Sequence, residues 1–465
     1  MISAYLAILA MQPVIRLEAE EGELQGPRIS TETAGFSGKG YVTDITAQNA
    51  KIKLKFQAKE GIYRLSLGYS SPQGPKGVDV SVNGFGSSNQ VPKTEGKFEK
   101  FSFAKVELVN GENTIEVQRG WGYYSLDYVE LTPAEPVAPL KPVSGKLINP
   151  DASPEARKLM QFLAANYGKR MLSGQYEISE NPFVYEKTGQ WPAVLGSDLM
   201  DYSPSREAFG SRPKRATEQW INAAQKGQIL KLSWHWNAPK DLINKMIKEP
   251  DGRETNALWY KGFYTNATTF DLSKAMADKQ SEEYKLIIRD IDHIAIELKK
   301  IEAAKIPVLW RPLHEAEGRW FWWGAKGPEP CIWLWKLMIE RLQNHHKINN
   351  LIWVWNSVDP AWHPGDEYVD MVAVDAYPSD RRDTLVSVWE DLLTRFNGKK
   401  MLALTEFPGP PDVDRMWKFG VRWSFFVSWT GDLGPKGSDP ALVKRSYSSR
   451  LTMNEAEFKR LTKRP

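Results

Sequence analysis

Cysteine is almost missing from this 465-residue chain: Cys331 is the only one. That excludes an intrachain disulfide framework and a cysteine-based zinc site. A dominant charge is missing too, because 61 Lys and Arg face 57 Asp and Glu for a net charge of +4. So even a balance excludes a polybasic nucleic-acid binder or an acidic disordered tail as the main theme, and no nucleic-acid partner is expected. No apolar run approaches the ~20 residues that span a bilayer, so no membrane partner is expected. Histidine is scarce, at six residues, and no His-Glu-x-x-His spacing occurs. His293 sits inside a helical pattern, His345-His346 fall near a helix end where cations suit the dipole, and His363 stands alone, so no catalytic metal is expected. The opening run, Met1-Ile-Ser-Ala-Tyr-Leu-Ala-Ile-Leu-Ala10, is short, apolar and without basic residues before it. It is similar to the hydrophobic half of a secretory signal, so residues 1–13 are expected to form a signal segment and the protein to be secreted.

What the chain has in abundance is aromatic surface: 19 Trp, 17 Tyr and 18 Phe. Hydrophobic residues at 42% leave ample material for a core, and this much aromatic area exceeds what packing requires. Flat aromatic faces together with many carboxylates point to a carbohydrate handler, the excess being expected as sugar-facing surface.

The strongest break in composition is Thr132-Pro-Ala-Glu-Pro-Val-Ala-Pro-Leu-Lys-Pro142, with four prolines in eleven residues. Such a stretch fits neither a helix nor a central strand and reads as an extended spacer over residues 133–144. The module before it, residues 14–132, shows short alternating runs at Lys51–Phe56, Tyr63–Leu67, Val78–Val82 and Asn113–Val117. Asn83-Gly84 and Asn110-Gly111 punctuate these runs, and the spacing predicts an antiparallel β-sandwich of jelly-roll type. The module after it, residues 145–465, alternates buried-strand runs with helical patterns. The runs are Arg170–Tyr176, Pro192–Leu199, Gln228–Asn237, Ile306–Glu315, Asn350–Val358, Val369–Pro378, Lys400–Phe407 and Trp423–Asp432. One helical stripe carries Leu286, Ile287, Ile291, Ile294 and Leu298. Eight such units in about 320 residues predict a (β/α)8 barrel. The competing open, doubly wound sheet lacks its Gly-x-Gly-x-x-Gly turn.

In a barrel the working groups lie at the C-terminal ends of the strands. Those ends read Gln175, Asp198, His235-Trp236-Asn237, His314-Glu315, Trp355-Asn356, Asp375-Ala-Tyr377, Glu406 and Trp429. Glu315 and Glu406 each close an apolar run, on strands four and seven, so the two can face each other across the mouth. Glycoside hydrolysis needs such a pair, one carboxyl protonated and the other ionised. Burial and a neighbouring negative charge raise the acid's pKa. The plainer reading is a solvated strand-end carboxylate or an ion-pair partner, with Arg311 at hand. Trp320, Trp322 and Trp323 follow Glu315 directly, and one or two of them are expected to stack on sugar.

These residues carry a family resemblance. The second module resembles glycoside hydrolase family 26, mostly retaining β-mannanases on a (β/α)8 barrel. The matches are Met171-Leu-Ser-Gly-Gln175, Leu232-Ser-Trp-His-Trp-Asn237, Arg311-Pro-Leu-His-Glu315, Trp320-Phe-Trp-Trp-Gly324, Val374-Asp-Ala-Tyr377, Leu404-Thr-Glu-Phe407 and Ser428-Trp429. The resemblance implies that Glu315 is the acid/base and Glu406 the nucleophile, with Tyr377 positioning the nucleophile. His235, His314, Trp320 and Trp429 would line the sugar site. One departure stands out: Ala316-Glu317 replaces the Met-Asn common in relatives, and the extra carboxylate is expected either to raise the acid's pKa or to alter the adjoining subsite.

The first module resembles a family 35 carbohydrate-binding module through Leu17-Glu-Ala-Glu20, Gly35-Phe-Ser-Gly-Lys-Gly-Tyr41, Gly111-Glu-Asn-Thr-Ile115 and Tyr124-Ser-Leu-Asp-Tyr-Val-Glu130. By that resemblance Glu18, Glu20 and Asp127 would hold a structural calcium that ties the first and last strands together. Tyr41 and Trp121 are candidate sugar contacts, with core packing the alternative for each. The chain is therefore expected to be a secreted, monomeric, retaining endo-β-1,4-mannanase, needing no cofactor for catalysis, whose partner is β-mannan or a related plant polysaccharide. A same-family hydrolase of mixed-linkage glucan or β-1,3-xylan is the nearest alternative, and a non-catalytic glycan-binding protein a more distant one.

Overall fold

The structure, a computed structural model, describes residues 13–249 and 252–462. The expected signal segment lies outside the described residues apart from Pro13. The chain folds as two compact units.

The first is a sandwich of two antiparallel sheets. One sheet runs in the order Arg28–Ser30, Tyr41–Thr43, Ser125–Pro133, Gly61–Ser70, Glu99–Leu108, with Ile15–Glu18 also paired to Ser125–Pro133. The other runs Glu23–Gln25, Lys51–Ala58, Gly111–Trp121, Lys76–Val82, Phe85–Val91. Alternation sets the faces: in Lys51–Ala58 the side chains of Ile52, Leu54 and Phe56 are buried while the intervening lysines turn outward. They meet Leu65, Leu67, Phe103, Val117, Leu126 and Val129 in one core. Asn83 and Gly84 both have positive φ, 52° and 79°, the pattern of a two-residue hairpin turn matched to strand twist. That turn fixes the Val82–Phe85 register.

The second unit contains a closed, eight-stranded barrel of parallel strands. The strands are Gly174–Tyr176, Val194–Asp198, Ile229–Trp234, Val308–Pro312, Leu351–Asn356, Met371–Asp375, Met401–Phe407 and Phe426–Ser428, one inside each of the eight expected runs. They are buried throughout, apart from partly exposed Asp375, so they read as continuous apolar runs rather than as alternation. The helix Glu282–Ala303 starts at Ser281, whose Oγ accepts the Tyr284 N–H, and buries Ile287, Ile291, Ile294 and Leu298. Among the described residues no helix is long and apolar enough to cross a membrane.

The aromatic surplus is mostly interior. Trp234, Trp236, Trp310, Trp322, Trp323, Trp335, Trp353, Trp355, Trp389 and Trp423 are fully buried. Trp234 and Trp236 stack at 4.0 Å, and Trp335 packs edge-on against Trp353 and Trp355. The expectation of a largely sugar-facing excess is thus corrected. Only Trp121, Trp191 and Trp320 of the 19 are exposed.

Candidate active site

The fourth barrel strand ends at Pro312, and the chain then turns sharply. Leu313 and Glu315 have left-handed φ of 53° and 51°, and Arg319 follows at 60°. Such backbone is unfavourable for non-glycine residues and is held where surrounding contacts over-determine it. Here Asn356, on the fifth strand, accepts the Glu315 N–H (3.0 Å), while His314 and Leu313 are buried. The turn lifts the Glu315 carboxyl to the mouth, where Trp320 Nε1–H donates to its Oε2 (2.9 Å).

Glu406 sits on the seventh strand and is buried. Its Oε1 receives Arg311 Nη2, and its Oε2 receives the Tyr377 hydroxyl (2.8 Å). Arg311, fully buried, also donates to Asp375 and to Ser233 Oγ (3.2 Å). Asp375 in turn accepts Thr405 Oγ1 (2.7 Å). Glu315, Asp375 and Glu406 each place one oxygen within 4.8 Å of the others, the only such group found among the described residues. The guanidinium already compensates two of these carboxylates, so the group reads as an ion-pair network rather than as a metal centre.

This arrangement makes the two glutamates unequal. Burial, then the charges of Asp375 and Glu406, push the Glu315 carboxyl up to about 8, against the opposing pull of Arg311 and the Trp320 N–H. Asp375 is moved to about 6 by burial, with Arg311 opposing. Burial and the carboxylate beneath it push the Tyr377 hydroxyl far up, so it stays a donor to Glu406.

His235 and His314 form a second network. Burial works against the charged form of Asp198, but His235, joined through Nδ1 at 2.6 Å, overcomes it and holds Asp198 at about 2. The Asp198 carboxylate also accepts from Tyr176 OH (2.9 Å), Met200 N (2.8 Å) and His235 N (2.9 Å). The two imidazoles meet Nε2 to Nε2 at 3.0 Å, which requires that one donates and the other accepts. Burial opposes charge on His235, yet Asp198 raises its pKa, whereas burial and Arg311 push His314 well below its ordinary value.

Two clefts open at this mouth. One, of about 260 Å³, is lined by Glu315, Trp320, Asn356 and Tyr377; the other, of about 290 Å³, by Glu177, His235, Tyr264 and Trp429. Trp320 is 46% exposed and Trp429 half-buried, its backbone carbonyl fixed by Gln175 Nε2 at 2.7 Å. Thus Glu315, Glu406, His235, His314, Trp320, Tyr377 and Trp429 are brought together at the mouth. Trp322 and Trp323 do not reach the mouth. Both are buried, donating to the backbone carbonyls of Trp236 (2.6 Å) and His314 (2.9 Å), and they buttress the turn.

Of the two effects expected of Glu317, the geometry favours the second, since it lines the cleft beside Glu315 and Trp320. The charges that raise Glu315 are those of Asp375 and Glu406. Glu317 instead accepts from Ser357 Oγ, Val358 N and Asp359 N at 2.5–3.2 Å, organising the loop after the fifth strand. Sequence reasoning passed over Glu177, which burial and Asp198 push up to about 7, and Tyr264. The signal for Glu177 was its place directly after the first strand.

In the sandwich, Tyr41 is 4% exposed, packed between Phe36 and Phe98 with its hydroxyl on Thr33 Oγ1 (3.1 Å). It is a packing residue with no open face, which corrects its expected role as a sugar contact. Trp121 is 51% exposed, with Lys76 over its ring. Glu18 and Asp127 share Ser37: its Oγ donates to both (2.7 and 3.1 Å), and its N–H donates to Asp127 (2.9 Å). Glu20 Oε1 accepts the Lys39 N–H (2.7 Å), and its buried Oε2 has no hydrogen-bond partner. Glu18 and Asp127 thus meet at Ser37 and Glu20 reaches Lys39 of the same loop, but the three do not bring one oxygen each within 4.8 Å of one another.

Comparison with known proteins follows the same division. The glycosyl hydrolase family 26 model matches residues 148–457, and that of the family 35 carbohydrate binding module residues 15–134. A mannan endo-1,4-beta-mannosidase of Thermothelomyces thermophilus is 38% identical over 446 residues, covering 95% of this chain and 90% of that protein. Mannan endo-1,4-beta-mannosidase A of Piromyces sp is 34% identical over 97% of this chain and 74% of its own length. The crystal structure of a Podospora anserina β-(1,4)-mannanase combining family 26 and family 35 modules superposes with a TM-score of 0.68 at 36% identity, covering 97% of this chain and 99% of that one.

Proposed function

Because the chain belongs to glycosyl hydrolase family 26 and carries a family 35 carbohydrate-binding module ahead of its barrel, we propose that it is a secreted endo-β-1,4-mannanase acting by retaining double displacement. The observation that carries this is the unequal pair: Glu315, with a pKa of about 8, protonated at neutral pH, and Glu406 held by Arg311 and Tyr377. Glu406 attacks the anomeric carbon as Glu315 gives its proton to the departing glycosidic oxygen. The C–O bond to the leaving sugar breaks as the bond to Glu406 forms. Glu315, now ionised, takes a proton from water, whose oxygen displaces Glu406 and returns both groups to their starting states. The approach of the two carboxylates to within 4.8 Å favours this path, since retaining pairs stand ~5–5.5 Å apart and inverting pairs ~6.5–9.5 Å. The names of the relatives support mannan as the polymer.

Proton NMR of manno-oligosaccharide hydrolysis tests the mechanism. The first product should carry the β-anomer; an initial α-anomer, or wild-type turnover by Glu406→Ala, would overturn it. Negligible turnover of mannan beside rapid turnover of mixed-linkage glucan would overturn the substrate. A ladder of product sizes supports internal cleavage, whereas one repeated disaccharide contradicts it.

In the same reading the sandwich binds polysaccharide through Trp121, raising local enzyme concentration on the polymer. Glu18, Glu20 and Asp127 hold a structural calcium, their oxygen set being suited to a hard cation. A chelator should then lower the sandwich's melting temperature and calcium restore it. The enzyme acts as a monomer, which light scattering checks.

A further inference from the structure

A cleft of about 770 Å³, larger than either cleft at the mouth, lies on the flank of the barrel unit. It is bounded by the helices Asn181–Thr188, Ala216–Gln225 and Glu455–Thr462, and shares no lining residue with the clefts of the active site. Its volume falls within the ordinary range for small-ligand sites.

Trp191 is the residue that marks it. Among the 19 tryptophans, only Trp121, Trp191 and Trp320 are exposed. Trp320 touches the proposed acid and Trp121 belongs to the carbohydrate-binding module. Trp191, 40% exposed, lines the flank cleft. One ring face stacks on Tyr185 (4.9 Å, 19°). Its carbonyl accepts the Glu455 N–H (3.0 Å), which fastens it to the last helix.

The polar lining is amide-rich, with Asn181, Asn222, Gln225 and Gln228. Gln228 Nε2 donates to the Pro192 carbonyl (2.9 Å), and Asn181 Nδ2 donates to Gln228 Oε1 (3.3 Å). Asn181 is 2% exposed, and its Oδ1 has no hydrogen-bond partner. A buried acceptor without a protein partner calls for a donor from outside the chain, a water or a ligand group. The charged lining is mixed in sign, Lys226 standing with the Glu455–Lys459 pair (3.6 Å). That suits neither an anion nor a nucleic acid. An indole beside amides, with two lysines and one carboxylate in the lining, matches a polyhydroxylated ring, which offers C–H to the aromatic and hydroxyls to the amides and charged groups.

We propose that this cleft is a second, non-catalytic binding site for pyranose units of the polysaccharide substrate. The choice of polymer rests on the mannanase reading above; the site itself rests on the cleft. It would hold the barrel on the polymer independently of both the catalytic mouth and the sandwich.

The test uses the full chain. A Glu406→Gln parent is run by affinity electrophoresis in soluble galactomannan, with and without Trp191→Ala, and again in a Trp121→Ala background. Trp191→Ala should weaken retention at least threefold in both backgrounds, and Trp191→Phe should restore part of it. In protein with Glu406 intact, Trp191→Ala should leave kcat and KM on mannohexaose unchanged, which also establishes that the variant folds. Unchanged retention overturns the proposal. So does an altered KM on the hexaose, which would join the cleft to the active site. If intact protein hydrolyses no mannan but is retained by another β-glycan through Trp191, the mannanase reading fails while the second site stands.

Discussion

The burial of Glu315 can be tested without any substrate. In the folded protein its carboxyl is held at about 8 against an ordinary value of 4.5, first by burial and then by the charges of Asp375 and Glu406. Between those values the unfolded chain has lost this proton while the folded chain keeps it. Unfolding therefore releases a proton, and stability declines as pH rises from about 4.5 to about 8, after which both states are ionised and the loss is complete. At about 1.4 kcal/mol per pH unit, the ionised folded state bears a cost of at most about 5 kcal/mol. Glu315→Gln keeps the shape and an acceptor for the Trp320 N–H but cannot titrate, so it escapes the decline. With an unfolding entropy of roughly 2.1 cal/mol/K per residue over the matched span 148–457, that bound corresponds to about 8 °C in the barrel's melting temperature.

The assay is scanning calorimetry of wild type and Glu315→Gln from pH 4 to 9. The two should melt together near pH 4, diverge with the variant higher through neutrality, and reach a constant gap above about pH 8. Asp375 near 6, Glu177 near 7 and Lys231 near 7 also titrate in this range, but they are present in both proteins, so the difference between the curves reports Glu315 together with its coupling to Asp375. A gap that is constant across the range, or reversed in sign, refutes the assignment of a raised pKa to this carboxyl. In the wild type, kcat should fall on the alkaline side through the same pH region.

Tyr377→Phe removes the donor to Glu406 Oε2 (2.8 Å) and leaves the ring; a charge-assisted bond is worth ~1.5–3 kcal/mol, so kcat/KM on manno-oligosaccharides should fall roughly 10–100-fold with little change in melting temperature. Trp320→Phe deletes the N–H that lowers the pKa of Glu315, so the alkaline limb of kcat should move to higher pH; a downward shift contradicts the geometry. Arg311→Met leaves Asp375 and Glu406 buried without their cation, and denaturant unfolding should show a loss of about 3–5 kcal/mol. Trp121→Ala should weaken mannan binding by the sandwich without lowering its melting temperature, whereas Tyr41→Ala, emptying a packed site, should lower the melting temperature by calorimetry.

Much of this was legible in the residues because burial leaves a one-dimensional trace. The parallel strands of a closed barrel are covered on both faces, so each appears as an uninterrupted apolar run, and the polar residue that ends it marks the mouth. Sandwich strands were legible where alternation was strong, as in Lys51–Ala58. Phe85–Val91 was not: its pattern is mostly polar and half-exposed, with little apolar content to betray it. Aromatic residues were the harder problem, since a tryptophan reads the same whether its face meets sugar or protein. Trp322 and Trp323 could be buried because two backbone carbonyls lie within reach of their N–H groups, and no spacing rule announces a carbonyl. Tyr41 follows a glycine-rich stretch that reads as an exposed loop, yet its strand is covered on both sides.

The chemistry depends on a separation that sequence distance conceals. Arg311 and Glu315 are four residues apart, and an arginine so placed is an obvious counter-ion for a strand-end carboxylate. Had the strand continued to Glu315, the guanidinium would have been placed to pair with it, favouring the ionised acid. Instead Pro312 ends the strand, the left-handed turns at Leu313 and Glu315 redirect the chain, and Asn356 pins the Glu315 backbone. The arginine, still pointing into the barrel, compensates Asp375 and Glu406. Glu315 feels the two acidic charges at close range with only the Trp320 N–H in direct contact. One cation and one turn thus suffice to split two chemically identical side chains, tying down one as an ion-paired carboxylate while the other keeps its proton.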